Sequence, residues 1–156
     1  MTRTRLLCVA AVVGSATLAL AALGTAASQK TETYKLSAKL TRAQEVPKPN
    51  APSGAKGTFT GTSVERSDKT TLKWKLTFSG LSGKATAAHI HLAKRGKAGP
   101  VAVPLCGPCT SGEHGTTKIK RSVERAMEHG TAYVNVHTAK NKNGEIRGQI
   151  KATEQD

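Results

Sequence analysis

Three histidines, His89, His91 and His137, are the residues of this chain whose type and spacing point most directly to chemistry. Imidazole nitrogens suit copper and zinc, and two histidines at i and i+2 present both rings on one face of a strand. In Ala132–Thr138, Val134 and Val136 alternate with Tyr133, Asn135 and His137. In the segment from Glu145 to Ile150, Glu145, Arg147 and Gln149 stand opposite the isoleucines. If these segments are neighbouring strands, each joins an apolar face to a polar one. His89, His91 and His137 are then candidate ligands for copper or zinc, and Tyr133, Asn135, Glu145, Arg147 and Gln149 a polar network beside them. The competing reading is structural: Asn135, His137, Glu145 and Arg147 satisfy one another beneath loops and fix strand register. Imidazoles more than about 6 Å apart on fixed strands would exclude a shared ion, because metal–nitrogen bonds are about 2 Å long.

Cys106-Gly107-Pro108-Cys109 has the spacing of thiol–disulfide oxidoreductase motifs. That chemistry wants the first cysteine at a helix amino terminus. Here Thr110, Ser111 and Gly112 follow, which begin no helix. With His114 the run starts like a zinc knuckle, but Ile119 stands where the closing cysteine would be, so four ligands are not found locally. In an oxidising compartment the pair is expected to form a disulfide between Cys106 and Cys109 that stiffens a loop. There is no nucleophile elbow, phosphate-cradling glycine loop or metalloprotease helix, so no enzymatic activity is expected and no catalytic residue is assigned. No cofactor beyond the candidate copper or zinc ion is implied.

The elements that must position these groups are strands. Tyr34, Leu36, Ala38 and Leu40 alternate with polar neighbours, as do Leu72, Trp74, Leu76 and Phe78. Pro47, Pro49 and Pro52 mark a loop before a further strand near Thr58 to Glu65. Later strands are expected at 86–92, 101–105, 131–138 and 145–153, the last two as a hairpin turning at Asn143-Gly144. One short helix is expected from Val123 to His129, capped by Ser122 and ended by a left-handed Gly130. The pattern implies an all-β fold, an antiparallel Greek-key sandwich or barrel with one short helix.

Four strings carry a family resemblance: Ala88-His89-Ile90-His91-Leu92, then Gly99-Pro100-Val101-Ala102-Val103-Pro104-Leu105, then Ala132-Tyr133-Val134-Asn135-Val136-His137-Thr138, then Gly144-Glu145-Ile146-Arg147-Gly148-Gln149-Ile150. With the opening stretch Ala43-Gln44-Glu45-Val46-Pro47, they closely resemble the CHRD domain, the module named after chordin. The resemblance implies an extracellular all-β domain that serves as a binding or structural module, and it supplies no ligand. The histidine pattern is also similar to the copper site of copper-zinc superoxide dismutases. Such an enzyme needs a fourth copper histidine and a zinc loop with an aspartate. Only His114 and His129 remain, neither in such a loop, so dismutation is not expected.

The amino terminus sets Arg3 and Arg5 before an apolar run from Leu6 to Leu23, followed by Gly24, Thr25, Ala26 and Ala27. That is the layout of a secretory signal peptide, cleaved after Ala27, although the run approaches the length of a membrane anchor. The expected organisation is a signal peptide at 1–27 and one CHRD domain at 28–156, secreted or in the cell envelope. Loss of Arg3 and Arg5 takes the formal charge from +14 to +12. Such a field attracts polyanions, so an extracellular or cell-surface partner is expected, an anionic polymer among the candidates. With one Trp, two Tyr and two Phe, there is little for nucleic-acid stacking, so no specific nucleic acid is expected. The domain is expected to be a monomer.

Overall fold

The computed structural model describes residues 31–66 and 69–155, so the expected signal peptide at 1–27 lies outside the described residues. The chain forms β1 (Thr31–Thr41), a 3-10 turn (Arg42–Gln44), β2 (Lys56–Arg66), β3 (Lys69–Ser79), β4 (Ala85–Leu92), β5 (Val101–Cys106) and β6 (Glu113–Ile119). After these come α1 (Arg121–Glu128), β7 (Ala132–Thr138), β8 (Ile146–Gln149) and β9 (Lys151–Gln155). The strand order is β5-β4-β7-β8-β1-β2-β3-β6, with β9 also pairing β1, and among the described residues these pairings are antiparallel. The all-β antiparallel expectation is thus met by a nearly closed, barrel-like sheet with one helix. The chain crosses the sheet between β3 and β4 and again between β5 and β6, as a Greek-key arrangement requires.

Alternation decides which side of each strand is buried. In β3, Leu72, Trp74 and Leu76 are buried while Lys73 and Lys75 are exposed. Leu36, Leu40, Phe59 and Leu72 from the β1–β2–β3 half meet Ile90, Val134, Val136 and Ile146 from the β4–β7–β8 half in one core. Each such side chain contributes roughly 1.5–3 kcal/mol by leaving water.

The structure corrects three expectations. The expected strand over 145–153 is broken at Ile150, whose N–H donates to Ala132 O at 2.9 Å, so β8 pairs with β7 and β9 returns to β1. The helix starts at Arg121, not Val123; Lys120 is its N-cap and Ser122 caps nothing. β6, an edge strand held in register along β3, has no counterpart among the expected strands.

Gly130, at φ 64, does end the helix in the left-handed region. Buried Val123 and Met127 fix the helix to the core, and Glu124 accepts a hydrogen bond from Thr70 Oγ1 at 2.8 Å. At the helix start, Arg121 pairs with Glu65 at 2.7 Å. Cys106 and Cys109 form the expected disulfide, and the Cys109 N–H donates to Ala85 O at 3.1 Å, joining the end of β5 to the start of β4.

Candidate metal centre

β4 and β7 pair with Ala87 opposite His137, His89 opposite Asn135 and His91 opposite Tyr133. β7 and β8 pair with Asn135 opposite Arg147 and Tyr133 opposite Gln149. This register places the three histidines on one side of adjacent strands, with Tyr133, Asn135, Arg147 and Gln149 beside them. β7 is buried along almost its whole length on both faces. The polar face is therefore largely covered, with His91, Tyr133, Asn135, Arg147 and Gln149 buried and His89 and His137 half-buried.

The three imidazoles converge. The ring centroids of His89 and His137 lie 5.0 Å apart, those of His89 and His91 5.7 Å, and those of His91 and His137 6.0 Å. One nitrogen from each lies within 4.8 Å of the others. His89 Nδ1 and His137 Nε2 are 3.1 Å apart. Tetrahedral zinc with bonds of about 2.0–2.1 Å sets its nitrogens roughly 3.3 Å from one another, so this pair already has the spacing of a metal's ligands. The third nitrogen needs a shift of no more than about 1.5 Å.

Backbone carbonyls fix which nitrogens carry hydrogen, and they leave His137 Nε2 to accept from His89 Nδ1. His91 Nδ1 is 2.9 Å from Gly99 O, and His137 Nδ1 is 2.9 Å from Lys142 O. A carbonyl only accepts, so both Nδ1 atoms carry hydrogen and both Nε2 atoms keep their lone pairs. Metal-bound histidines are oriented in this way, by a donor bond from the other ring nitrogen. His91 Nε2 is buried and has no hydrogen-bond partner. Burial lowers the pKa of His89, with further lowering from His137 and His91. Burial likewise lowers His91 and His137, against the Gly99 and Lys142 carbonyls, which favour the charged forms. All three are therefore neutral at pH 7, the form that binds a metal.

The surrounding network is ordered but divided. Tyr133 stacks on His91 with centroids 4.9 Å apart and rings 10° from parallel. The Arg147 guanidinium lies 3.3 Å over the Tyr133 ring. The Tyr133 hydroxyl accepts from Gly99 N–H at 3.2 Å, so it braces the residue whose carbonyl orients His91. Gln149 Nε2 donates to Ala93 O at 2.9 Å and Gly130 O at 2.8 Å. Arg147 donates to Lys94 O at 3.3 Å.

Glu145 does not join this group. Its carboxylate is bound instead by Ser82, Thr138 Oγ1 at 2.6 Å and Asn141 Nδ2 at 2.9 Å. Burial pushes its pKa up, but those donors outweigh burial and hold it below the usual value.

Glu45 enters the network although it was not among the expected site residues. Asn135 Nδ2 donates to its Oε2 at 3.4 Å, while Glu45 Oε1 and Asn135 Oδ1 are buried without partners. Burial pushes the Glu45 carboxyl up to about 7, against the pull of Arg147. Its one signal in the sequence is its place in the Ala43–Pro47 string; nothing in that proline-rich stretch shows that it folds onto β7. The orienting carbonyls of Gly99 and Lys142 leave no trace in side-chain type at all.

Chemically, three neutral imidazoles, two of them half-buried, can hold a copper or zinc ion and leave one coordination position for an external ligand. No curated protein and no solved structure matches the chain. The family model of the CHRD domain matches residues 36–150, the span that contains the whole histidine cluster and its supporting strands, and the chain belongs to that family.

Proposed function

We propose that this CHRD protein is an exported binding domain, acting in the cell envelope or outside the cell, whose ligand is a copper or zinc ion held by His89, His91 and His137. One observation carries the reading: the three ring nitrogens converge within 4.8 Å, and the buried Nε2 of His91 has nothing else to bind. An imidazole nitrogen buried without a partner costs free energy that a bound ion would recover. The Gly99 and Lys142 carbonyls turn the lone pairs of His91 and His137 away from the backbone. Export is supported by the amino-terminal layout and by the family's occurrence in extracellular proteins.

Calorimetric titration of the purified, chelator-treated protein tests the reading. One equivalent of copper(II) is expected to bind, and more tightly than zinc(II), following the usual order of divalent affinities. His91→Ala or His137→Ala should weaken binding by at least about 100-fold, more than the loss typical of a supporting residue alone. His114→Ala, on the exposed part of β6, should leave it unchanged. Absence of stoichiometric binding, or binding unaffected by His89→Ala and His137→Ala, would remove the proposal.

A further inference from the structure

The outer face of the β9–β1–β2–β3–β6 half carries a charge pattern unrelated to the histidines. Lys35, Ser37 and Lys39 of β1, Thr58 and Thr60 of β2, and Lys73 and Lys75 of β3 are all exposed. Strand register assembles them into rows. Thr153, Lys35, Thr62, Lys73 and Thr116 form one row, and Lys151, Ser37, Thr60, Lys75 and His114 form the next. Lys56 and Lys118 extend the same face at its two ends. A shallow depression lined by Lys35, Thr60, Thr62, Lys73, Lys75 and Thr153 runs across it.

Among the described residues, no carboxylate shares this face. Glu32, Glu65, Glu113 and Glu154 lie on the same strands but alternate to the other side. Glu124 and Glu128 are on α1, and Glu45 and Glu145 lie in connections outside these strands. Lysines two residues apart on a strand are about 7 Å apart, and those in alternate strands about 10 Å. These spacings fall within about one Debye length at 0.1 M salt, so the positive charges reinforce one another.

We propose that this face binds a linear polysaccharide bearing carboxylates. The ammonium groups match its charges, and the Thr and Ser hydroxyls between them can exchange hydrogen bonds with sugar hydroxyls. The chemistry of the face favours a sugar polymer over other polyanions. All five aromatic residues, Tyr34, Phe59, Trp74, Phe78 and Tyr133, belong to the interior or pack against it, so none offers a platform for nucleic-acid bases. Among the described residues, the exposed large apolar side chain is Val101, on β5 at the other end of the sheet, so the face has no wedge for a lipid surface.

The test is binding of purified protein to polygalacturonate, with chelator present so that metal plays no part. The variant K35E/K73E/K75E/K151E is compared with K48E/K84E/K97E/K140E, an equal charge change at exposed positions elsewhere. The first set should weaken binding about 100-fold, as losing four exposed ion pairs of ordinary strength would. The second should weaken it less than about fivefold, through the general field alone. The corresponding Lys→Gln set on the face, which adds no repulsion, should also weaken binding, and circular dichroism should show all variants folded. Equal losses from the two Glu sets would overturn the proposal. So would tighter binding of duplex DNA, or of phosphatidylglycerol vesicles, through the same lysines.

Discussion

Glu45 shows how a single buried group couples the network around the histidines to pH. Its carboxyl is 5% exposed and burial raises its pKa from 4.5 to about 7, so the folded protein holds a proton there that the unfolded chain has already released. The proton supplies a donor beside two buried oxygens, Glu45 Oε1 and Asn135 Oδ1, that otherwise have none. Stability from this group is therefore full below pH 4.5 and is lost as pH rises through about 7. At ~1.4 kcal/mol per pH unit, the loss is roughly 3 kcal/mol over that window. Glu45→Gln keeps the shape without the ionisation. Urea unfolding of chelator-treated protein between pH 4.5 and 8 should show the variant gaining about 3 kcal/mol on the parent as pH rises; a constant difference would contradict the assignment.

At this same scale, the sequence made the histidines legible because strand periodicity alone puts His89 and His91 on one face. It misplaced Glu145, since alternation assigns a side but not a loop partner. Ser82, which draws that carboxylate away, is 63 residues distant in the chain.

The supporting elements depend on a close approach between β8 and β1. A Cβ built on Gly148 would stand 2.6 Å from Lys39 O and 3.2 Å from Ala38 Cβ. Only glycine lets the strand that carries Arg147 and Gln149 lie this close to β1. Gly148→Ala should destabilise the fold by roughly 1–3 kcal/mol through forced backbone movement, measurable as a lower denaturation midpoint. A change within 0.5 kcal/mol would show that β8 can shift freely. The long strands were readable because they bury leucine, isoleucine and aromatic side chains at alternate positions. β6 was not, because its run Glu113-His114-Gly115-Thr116-Thr117-Lys118-Ile119 has one large apolar residue, Ile119, and takes its place from pairing with β3. The break at Ile150 was hidden for a different reason: apolar alternation continues through it, while its N–H turns to Ala132.

Across the whole molecule, chemistry is divided between two regions of one sheet. The β4–β7–β8 region gathers three neutral imidazoles, whereas the β1–β2–β3 region turns exposed lysines outward. A formal charge of +14 reveals the excess of cations but not their arrangement. The lysine rows appear only when strand register is known. Likewise, the histidines could be assigned to strand faces from sequence, but their convergence depends on β4 and β7 being neighbours despite the helix and two strands between them in the chain.

The central claim is that His89, His91 and His137 bind one ion together. X-ray absorption at the zinc edge of the purified protein, loaded with one equivalent of zinc, tests it most directly. The claim predicts three imidazole nitrogens at about 2.0–2.1 Å, reduced to two in His91→Ala. A zinc environment with fewer than three imidazoles, or one unchanged by His91→Ala, would contradict it.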